Sequence, residues 1–466
     1  MSVFDRDSRS AAIERENSDG SAHAASDVMS ILETAVGGRL PLRLTCWDGS
    51  VAGDADAPAS IVFRSPRGLT RLIWSPNELG LVRAYVSGDI DFDGDIFAVL
   101  DLPDVIDHVA RHSAIGLGWR ERLAAVRTAG RLGALGLPPE PPAEEVRRHR
   151  GVLHSKARDA ESVSHHYDVG NDFYRLVLGE TMVYSCAFWA QPPEVGFSLE
   201  EAQRAKLDLI CRKLRLQPGM RMLDVGCGWG SLAMHAAQEY GAAVVGITVS
   251  AEQAELARQR VHDAGLNHLI EIRLQDYRDI SDGPFDVISS VGMAEHVGQA
   301  RMQDYMRILF DALRPGGRLL NHAIASVRAL PPPEKGKPGF IDSYIFPDGE
   351  VLPLSATLDA MERVGFEVRD TEALREHYGY TLRAWTSNLQ EHWSAAVPLV
   401  GEPRARTWLL YLAASALAFE RGHLTIHQVL AVRQGDSGSS GMPRTRDDWL
   451  TPSRPAPQRS TTLPAP

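Results

Sequence analysis

The sequence predicts an α/β protein, a parallel sheet covered by helices on both faces, with a smaller α+β domain ahead of it. Three observations carry that expectation. From 220 to about 325, short apolar runs alternate with helical segments at the spacing of βα units. One of those runs ends directly in closely spaced glycines, Leu223-Asp-Val-Gly-Cys-Gly-Trp-Gly230. Ahead of 137 the texture changes to short β-type runs, and past 350 it changes to further helices.

Taken in order, residues 1–27 are rich in Ser, Ala, Asp and Glu and are expected as a disordered tail. The N-terminal domain is expected over 28–136, with runs such as PLRLTCWDG and ASIVFRS and turns at Asp48-Gly49 and Ser65-Pro66. Asp89, Asp91, Asp93 and Asp95 begin like a calcium loop. Counted from Asp89 or from Asp91, a leucine stands where such a loop needs its bidentate glutamate (Leu102 in the second case), so a solvated turn is the better reading and no metal is expected. A helical stretch over 105–135 leads into a linker, 137–160, that carries Arg147, Arg148 and Arg150. Over 105–158 ten Lys and Arg face five Asp and Glu, an excess of +5. It reads as a solvated helix face and linker, or as a patch for an anionic membrane surface.

The main domain is expected over 161–432. Its strands are read at Met220–Val225, AAVVGIT, LIEIRLQ, FDVISS and RLLNHAI, the last after the turn Pro315-Gly-Gly317. Helices are read at Ser231–Tyr240, after the capping Ser250, around MQDYMRILFDAL, and near 355–364, 383–396 and 405–420. The final stretch, 433–466, is rich in Gly, Ser and Pro and is expected as a second disordered tail.

Composition bounds the function. The chain has 466 residues, 44% of them hydrophobic and 23% charged, as in ordinary globular proteins. A net charge of −11 argues against a nucleic-acid partner. Four cysteines without paired metal spacing suit a reducing cytosol. The N-terminus lacks the pattern of a signal peptide, and the longest apolar stretch, Trp408 to Phe419, is too short to span a bilayer. A cytoplasmic location is therefore expected.

A strand running into G-x-G-x-G lets the backbone approach a ligand beside a helix N-terminus. The spacing is not the dinucleotide one, and Thr248 and Ser250 stand where an acidic residue would end the second strand, so NAD is disfavoured. The motif and its βα series resemble the S-adenosylmethionine methyltransferases. Two flanking segments sharpen the resemblance: Ser164 to Tyr174 with Met182 to Phe188, and Ser290 to Gly298. With them, the chain from about 160 to 432 closely resembles the cyclopropane-fatty-acyl-phospholipid and mycolic-acid cyclopropane synthases. The N-terminal block looks like the sterol-carrier-like leading domain of the tuberculostearic-type methyltransferases of actinobacteria.

That resemblance implies a Rossmann-like class I fold and S-adenosylmethionine as cofactor. Tyr184 and Ser185 would touch its methionine end, and Val225, Gly226, Cys227, Gly228, Trp229 and Gly230 its backbone side. Thr248, Ser250 and Gln253 would meet the ribose, and Asp276 with Tyr277 the adenine. It also implies a bicarbonate held by Cys186, Glu295, His322, the Ile324 backbone and Tyr378, with Tyr380 a local alternative to Tyr378. Alone, Cys186 would read as a small core residue and His322 as a satisfied core histidine; a carboxylate such as Glu295 after a strand's carboxyl end reads as functional. His165 and His166 stay open between a structural and a cofactor-proximal role, while the thiols of Cys211 and Cys227 are assigned to packing.

The implied chemistry is attack by a cis alkene on a sulfonium methyl, which leaves a carbocation. Proton loss from the new methyl closes a cyclopropane; a hydride shift followed by proton loss gives a methylene instead. Either outcome needs a base in an apolar pocket. The expected substrate is an unsaturated phospholipid acyl chain, met by peripheral contact at the inner face of the membrane. The alternatives are a 10-methylene synthase working with a separate reductase, an N-methyltransferase of small amines, and a lipid-binding protein with a decayed site. The oligomeric state stays open, a homodimer included.

Overall fold

The computed structural model describes residues 23–36, 38–102, 119–146, 155–156, 158–159, 169–327, 339–347 and 349–450. Arg147, Arg148, Arg150, His165 and His166 lie outside them. The chain divides into two units, Met1–Pro142 and Ala143–Pro466.

The first unit opens with helix α1 (Ala24–Val36), which begins inside the segment expected as a tail. Ala24 and Ala25 are buried, and their N–H groups donate to the Asp48 carboxylate (3.0 Å) and the Ser50 hydroxyl (2.9 Å). Strands β1 (Leu42–Thr45), β2 (Val51–Gly53), β3 (Ala59–Phe63) and β4 (Ile90–Asp93) form a sheet of order β2-β1-β3-β4. Helices α2 (Pro66–Trp74) and α3 (Glu78–Val86) connect β3 to β4, and α4 (Trp119–Arg131) follows. Asp89 bonds to the buried Arg71 at 2.7 Å, and Asp91 bonds to Arg64. The unit runs past the expected boundary at 136. Thr70, Arg71 and Trp74 of α2 donate to the carbonyls of Ala134, Glu140 and Gly136, and these bonds tie that stretch down.

The second unit places helices α5 (Asn171–Leu178) and α6 (Leu199–Leu214) ahead of the parallel sheet. The βα series follows as β5 (Arg221–Val225), α7 (Ser231–Tyr240), β6 (Ala243–Thr248), α8 (Ala251–Asp263), β7 (Ile270–Leu274) and β8 (Phe285–Val291). The short α9 (Ala294–Val297), α10 (Gln299–Ala312) and β9 (Leu313–Ser326) close it. Pro315-Gly-Gly317 lies within β9: Phe285 pairs with Leu313 and Val287 with Arg318, so the turn is absorbed as a bulge.

Beyond come α11 (Phe340–Tyr344), α12 (Leu354–Val364), β10 (Phe366–Ala373), α13 (Arg375–Glu391), α14 (Trp393–Val400), α15 (Glu402–Glu420), β11 (Leu424–Arg433) and α16 (Asp447–Leu450). The helix expected near 383–396 is broken at His392, which separates α13 from α14. Strands β10 and β11 were not expected. They extend the sheet to the order β10-β11-β9-β8-β5-β6-β7, with β11 antiparallel to both of its neighbours.

Two apolar layers cover the sheet. One joins Leu207, Ile210 and Leu214 of α6 to Ala233 and Ala236 of α7; the other joins Met306 and Leu309 of α10 to Met361 and Val364 of α12. Part of the second expected tail is also packed. Trp449 is buried against the first layer, Arg318 donates to the Gly441 carbonyl at 2.6 Å, and Arg446 pairs with Asp370. One tryptophan and these arginine bonds anchor a segment whose composition alone would not order it.

Candidate active site

Strand order reverses between β5 and β8, and a crevice at such a switch point is where open α/β sheets bind ligands. The glycine motif sits there. The N–H groups of Gly226 and Cys227 both donate to the Ile247 carbonyl, at 2.9 and 3.0 Å, which folds the loop against β6. Gly226 and Gly228 adopt φ of +75° and +54°. A Cβ on Gly226 would meet the Met293 sulfur at 2.8 Å, whereas one on Gly228 would meet nothing within 4 Å.

The loop forms one wall of a cleft with about 1150 Å³ free of atoms, part of it open to solvent. That suits a nucleoside-sized ligand. Of the expected cofactor residues, Tyr184, Ser185, Val225 to Trp229, Thr248, Gln253, Asp276 and Tyr277 line it. Gly230 and Ser250 do not; they cap α7 and α8. Several lining side chains are braced. Trp229 donates to Asn171 at 2.7 Å, Tyr184 to Tyr411 at 3.1 Å, and Thr248 to Gln253 at 2.8 Å. Burial raises the Asp276 carboxyl, but its bonds to Arg278 outweigh this and hold it below the usual range. Tyr174, Tyr184, Trp385 and Trp408 form a contiguous aromatic wall, with ring centroids 5.3 to 6.0 Å apart.

The expected anion ligands do not line this cleft, yet one patch of sheet joins them. Glu295 Oε1 accepts from the Ile324 N–H at 2.7 Å, and Ile324 pairs with Ile426 across β9 and β11. The Ile426 carbonyl accepts from the Leu374 N–H; the Leu374 carbonyl in turn accepts from Tyr378 N–H at 3.2 Å and from Cys186 Sγ at 3.7 Å. His322 lies two residues before Ile324 and meets Gln428 Nε2 through Nδ1 at 3.1 Å. Tyr378 is buried, whereas Tyr380 is half-buried with its ring 5.9 Å from that of Trp189.

The electrostatics follow from burial. Glu295 is pushed up to about 7, against the opposing pull of its Ile324 bond. His322 is held well below its ordinary value. Burial pushes the Cys186 thiol well up, which disfavours a thiolate nucleophile. Among the described residues Glu295 Oε2 and His322 Nε2 are buried without a partner. When Glu295 is protonated, it and an imidazole whose Nδ1 accepts from Gln428 present two unused donors, a donor set that fits a small anion.

Some lining residues are given no role by the sequence. Met293 and His296 flank Glu295 and line the cleft, and burial lowers His296 to about 4. Lys206 of α6 lines it as well, only 1% exposed. Met293 and His296 lie within the Ser290 to Gly298 segment that carries the resemblance but take no role of their own from it, the stretch around Lys206 gives no sign, and only packing turns these side chains inward.

A model of the mycolic acid cyclopropane synthetase family matches residues 154–429. A probable fatty acid methyltransferase of Mycobacterium tuberculosis is 44% identical over 414 residues, 87% of this chain and 94% of the relative. The cyclopropane-fatty-acyl-phospholipid synthase of Escherichia coli K12 is 39% identical over 286 residues, 61% of this chain and 71% of that one. The crystal structure of a mycolic acid cyclopropane synthase, CmaA1, complexed with SAH and CTAB superposes with a TM-score of 0.54 at 33% identity. It covers 59% of this chain and 98% of that one.

Proposed function

The chain belongs to the mycolic acid cyclopropane synthetase family, and on that premise we propose that it methylates the cis double bond of an unsaturated phospholipid acyl chain. It is an S-adenosylmethionine-dependent methyltransferase acting on lipids. The product on this reading is a cyclopropane or a methylene-branched chain, the latter needing a separate reductase to become methyl-branched. The supporting observation is the pair of buried, unpartnered atoms Glu295 Oε2 and His322 Nε2, with Glu295 on the same helical turn as the cleft-lining His296 and Val297.

S-adenosylmethionine, when bound, supplies a sulfonium methyl that an alkene can attack. The glycine loop and the braced Thr248–Gln253 pair hold the cleft in shape for it. Tyr184, which lines the cleft with Tyr174, Trp385 and Trp408 packed behind it, would help keep water from a cationic centre. Glu295, its carboxyl pushed up to about 7, is in part protonated near neutral pH, and in that form it donates and with His322 would hold a bicarbonate. That ion would supply the proton-accepting oxygen which the neutral carboxyl lacks. Cys186 and Tyr378, sharing the Leu374 carbonyl, would complete its surroundings. Among the described residues no helix is long and apolar enough to cross a membrane, so on this reading the chain meets its lipid at the membrane surface.

The test is incubation with isotope-labelled S-adenosylmethionine and oleoyl phospholipid vesicles, with and without bicarbonate. The released fatty acids are analysed by mass spectrometry, and NMR separates ring from methylene. Label in an acyl chain, dependent on bicarbonate, is the expected result. No labelled acyl chain, alongside methylation of a small amine, would overturn the lipid reading.

A further inference from the structure

Lys206 is a buried cation that the reaction scheme leaves unused. Its Nζ donates to Ser185 Oγ at 2.8 Å, and both residues line the cleft. Gln203, fully buried one turn earlier on α6, donates to the Ser185 carbonyl at 2.9 Å and fixes that loop. A buried ammonium is costly without a counter-anion. Among the described residues no carboxylate lies within ion-pair distance of Nζ. Asp224 is near enough to favour the charged lysine, but its Oδ1 accepts from Ser289 at 2.6 Å and its Oδ2 is unpartnered. Burial lowers Lys206 to about 8 and leaves it mostly protonated at neutral pH. Asp224, raised by burial only to about 6, keeps most of its charge at neutral pH and partly balances the ammonium, but among the described residues no ion pair joins the two, so this end of the cleft has ammonium donors left for an anion.

The position of that end identifies the anion it would take. The cleft crosses the strand ends from β5 through β6 to β7, with Asp276 and Tyr277 following β7 and Lys206, Ser185 and Asp224 grouped at β5. A nucleoside lying with its base by Asp276 extends its 5′ substituent toward Lys206. In S-adenosylmethionine that substituent ends in an α-amino acid carboxylate. We propose that Lys206 is a cofactor-binding residue which, with the Ser185 hydroxyl, takes this carboxylate. Because Ser185 Oγ already accepts from Lys206, its own proton is left to donate into the cleft. The assignment rests on the cofactor and not on the identity of the lipid.

Calorimetry with two probes tests it. S-adenosylhomocysteine carries the amino-acid end, and 5′-methylthioadenosine lacks it. Lys206→Met should weaken S-adenosylhomocysteine at least about tenfold and leave methylthioadenosine within about twofold, as expected for a lost charge-assisted bond. Lys206→Arg should recover part of the loss. Ser185→Ala should lose less, and the double variant should fall short of the product of the two single losses. If Lys206→Met does not fold, Ser185→Ala with the same two probes decides the matter. Equal losses for both probes, or no loss for S-adenosylhomocysteine, would overturn the assignment. Wild-type chain that binds neither probe would overturn the cofactor reading itself.

Discussion

Val225 to Trp229, five successive residues, form a wall of the cleft, whereas the proposed anion half of the site draws on Cys186, Glu295, His322, Ile324 and Tyr378 from four separate stretches of chain. The first half is local. Its geometry follows from a strand end, glycines at positive φ and the start of α7. The second half depends on register. His322 faces Gln428 and Ile324 faces Ile426 only because β9 and β11 pair as they do, and a slip of one residue would turn each side chain to the opposite face. A local half tolerates distant change, while a register-built half shares the fate of the sheet that assembles it.

The largest expected effect comes from breaking the anion half alone. Glu295→Gln should lower kcat about 100–1000-fold while S-adenosylhomocysteine affinity stays within about twofold. Equal losses in turnover and affinity would mean that the two halves are not separable. The next effect is on stability. Burial raises Glu295 from 4.5 to about 7, so the stability it contributes is complete below pH 4.5 and lost as the pH rises through about 7. The loss is on the order of 3 kcal/mol at most. In bicarbonate-free buffer, wild type should therefore lose more Tm than Glu295→Gln between about pH 5 and about pH 8. Parallel Tm profiles would show that Glu295 is ionised in the folded protein.

In the cofactor half, Gly228→Val should raise the dissociation constant for S-adenosylhomocysteine about 10–30-fold, because φ of +54° strains a β-branched residue and its side chain enters the cleft. Unaltered affinity by calorimetry would show that the loop does not touch the ligand. The smallest effect sharpens an ambiguity within Tyr378-Gly-Tyr380. Tyr378→Phe should reduce kcat about tenfold, and Tyr380→Phe less than about twofold. The reverse ranking in steady-state kinetics would transfer the anion-side role to Tyr380.

Residues that act through their own backbone neighbourhood are legible in the sequence. The glycine loop, the Ser250 cap that sets Gln253 against Thr248, and the alternation of strands and helices are short-range patterns. Strands β10 and β11 are not legible there: FEVRDTEA mixes polar and apolar residues, and only its pairing with β11 marks it as a strand. Trp449, at the end of a Gly- and Ser-rich segment, gives no sign of a docking site.

The sequence by itself determined the sheet-and-helix class, the family and the residue types at the site. Tertiary structure decided that Lys206 turns into the cleft, that Tyr378 and Cys186 meet at one carbonyl, and that Glu295 and His322 each keep an unpartnered atom. The physical reason is that burial and partnership belong to pairs of residues far apart in the chain. The pairs behind these contacts are 29 residues apart for Glu295 and Ile324, 106 for His322 and Gln428, and 188 for Cys186 and Leu374. No local pattern encodes the desolvation that raises a buried carboxyl or lowers a buried ammonium.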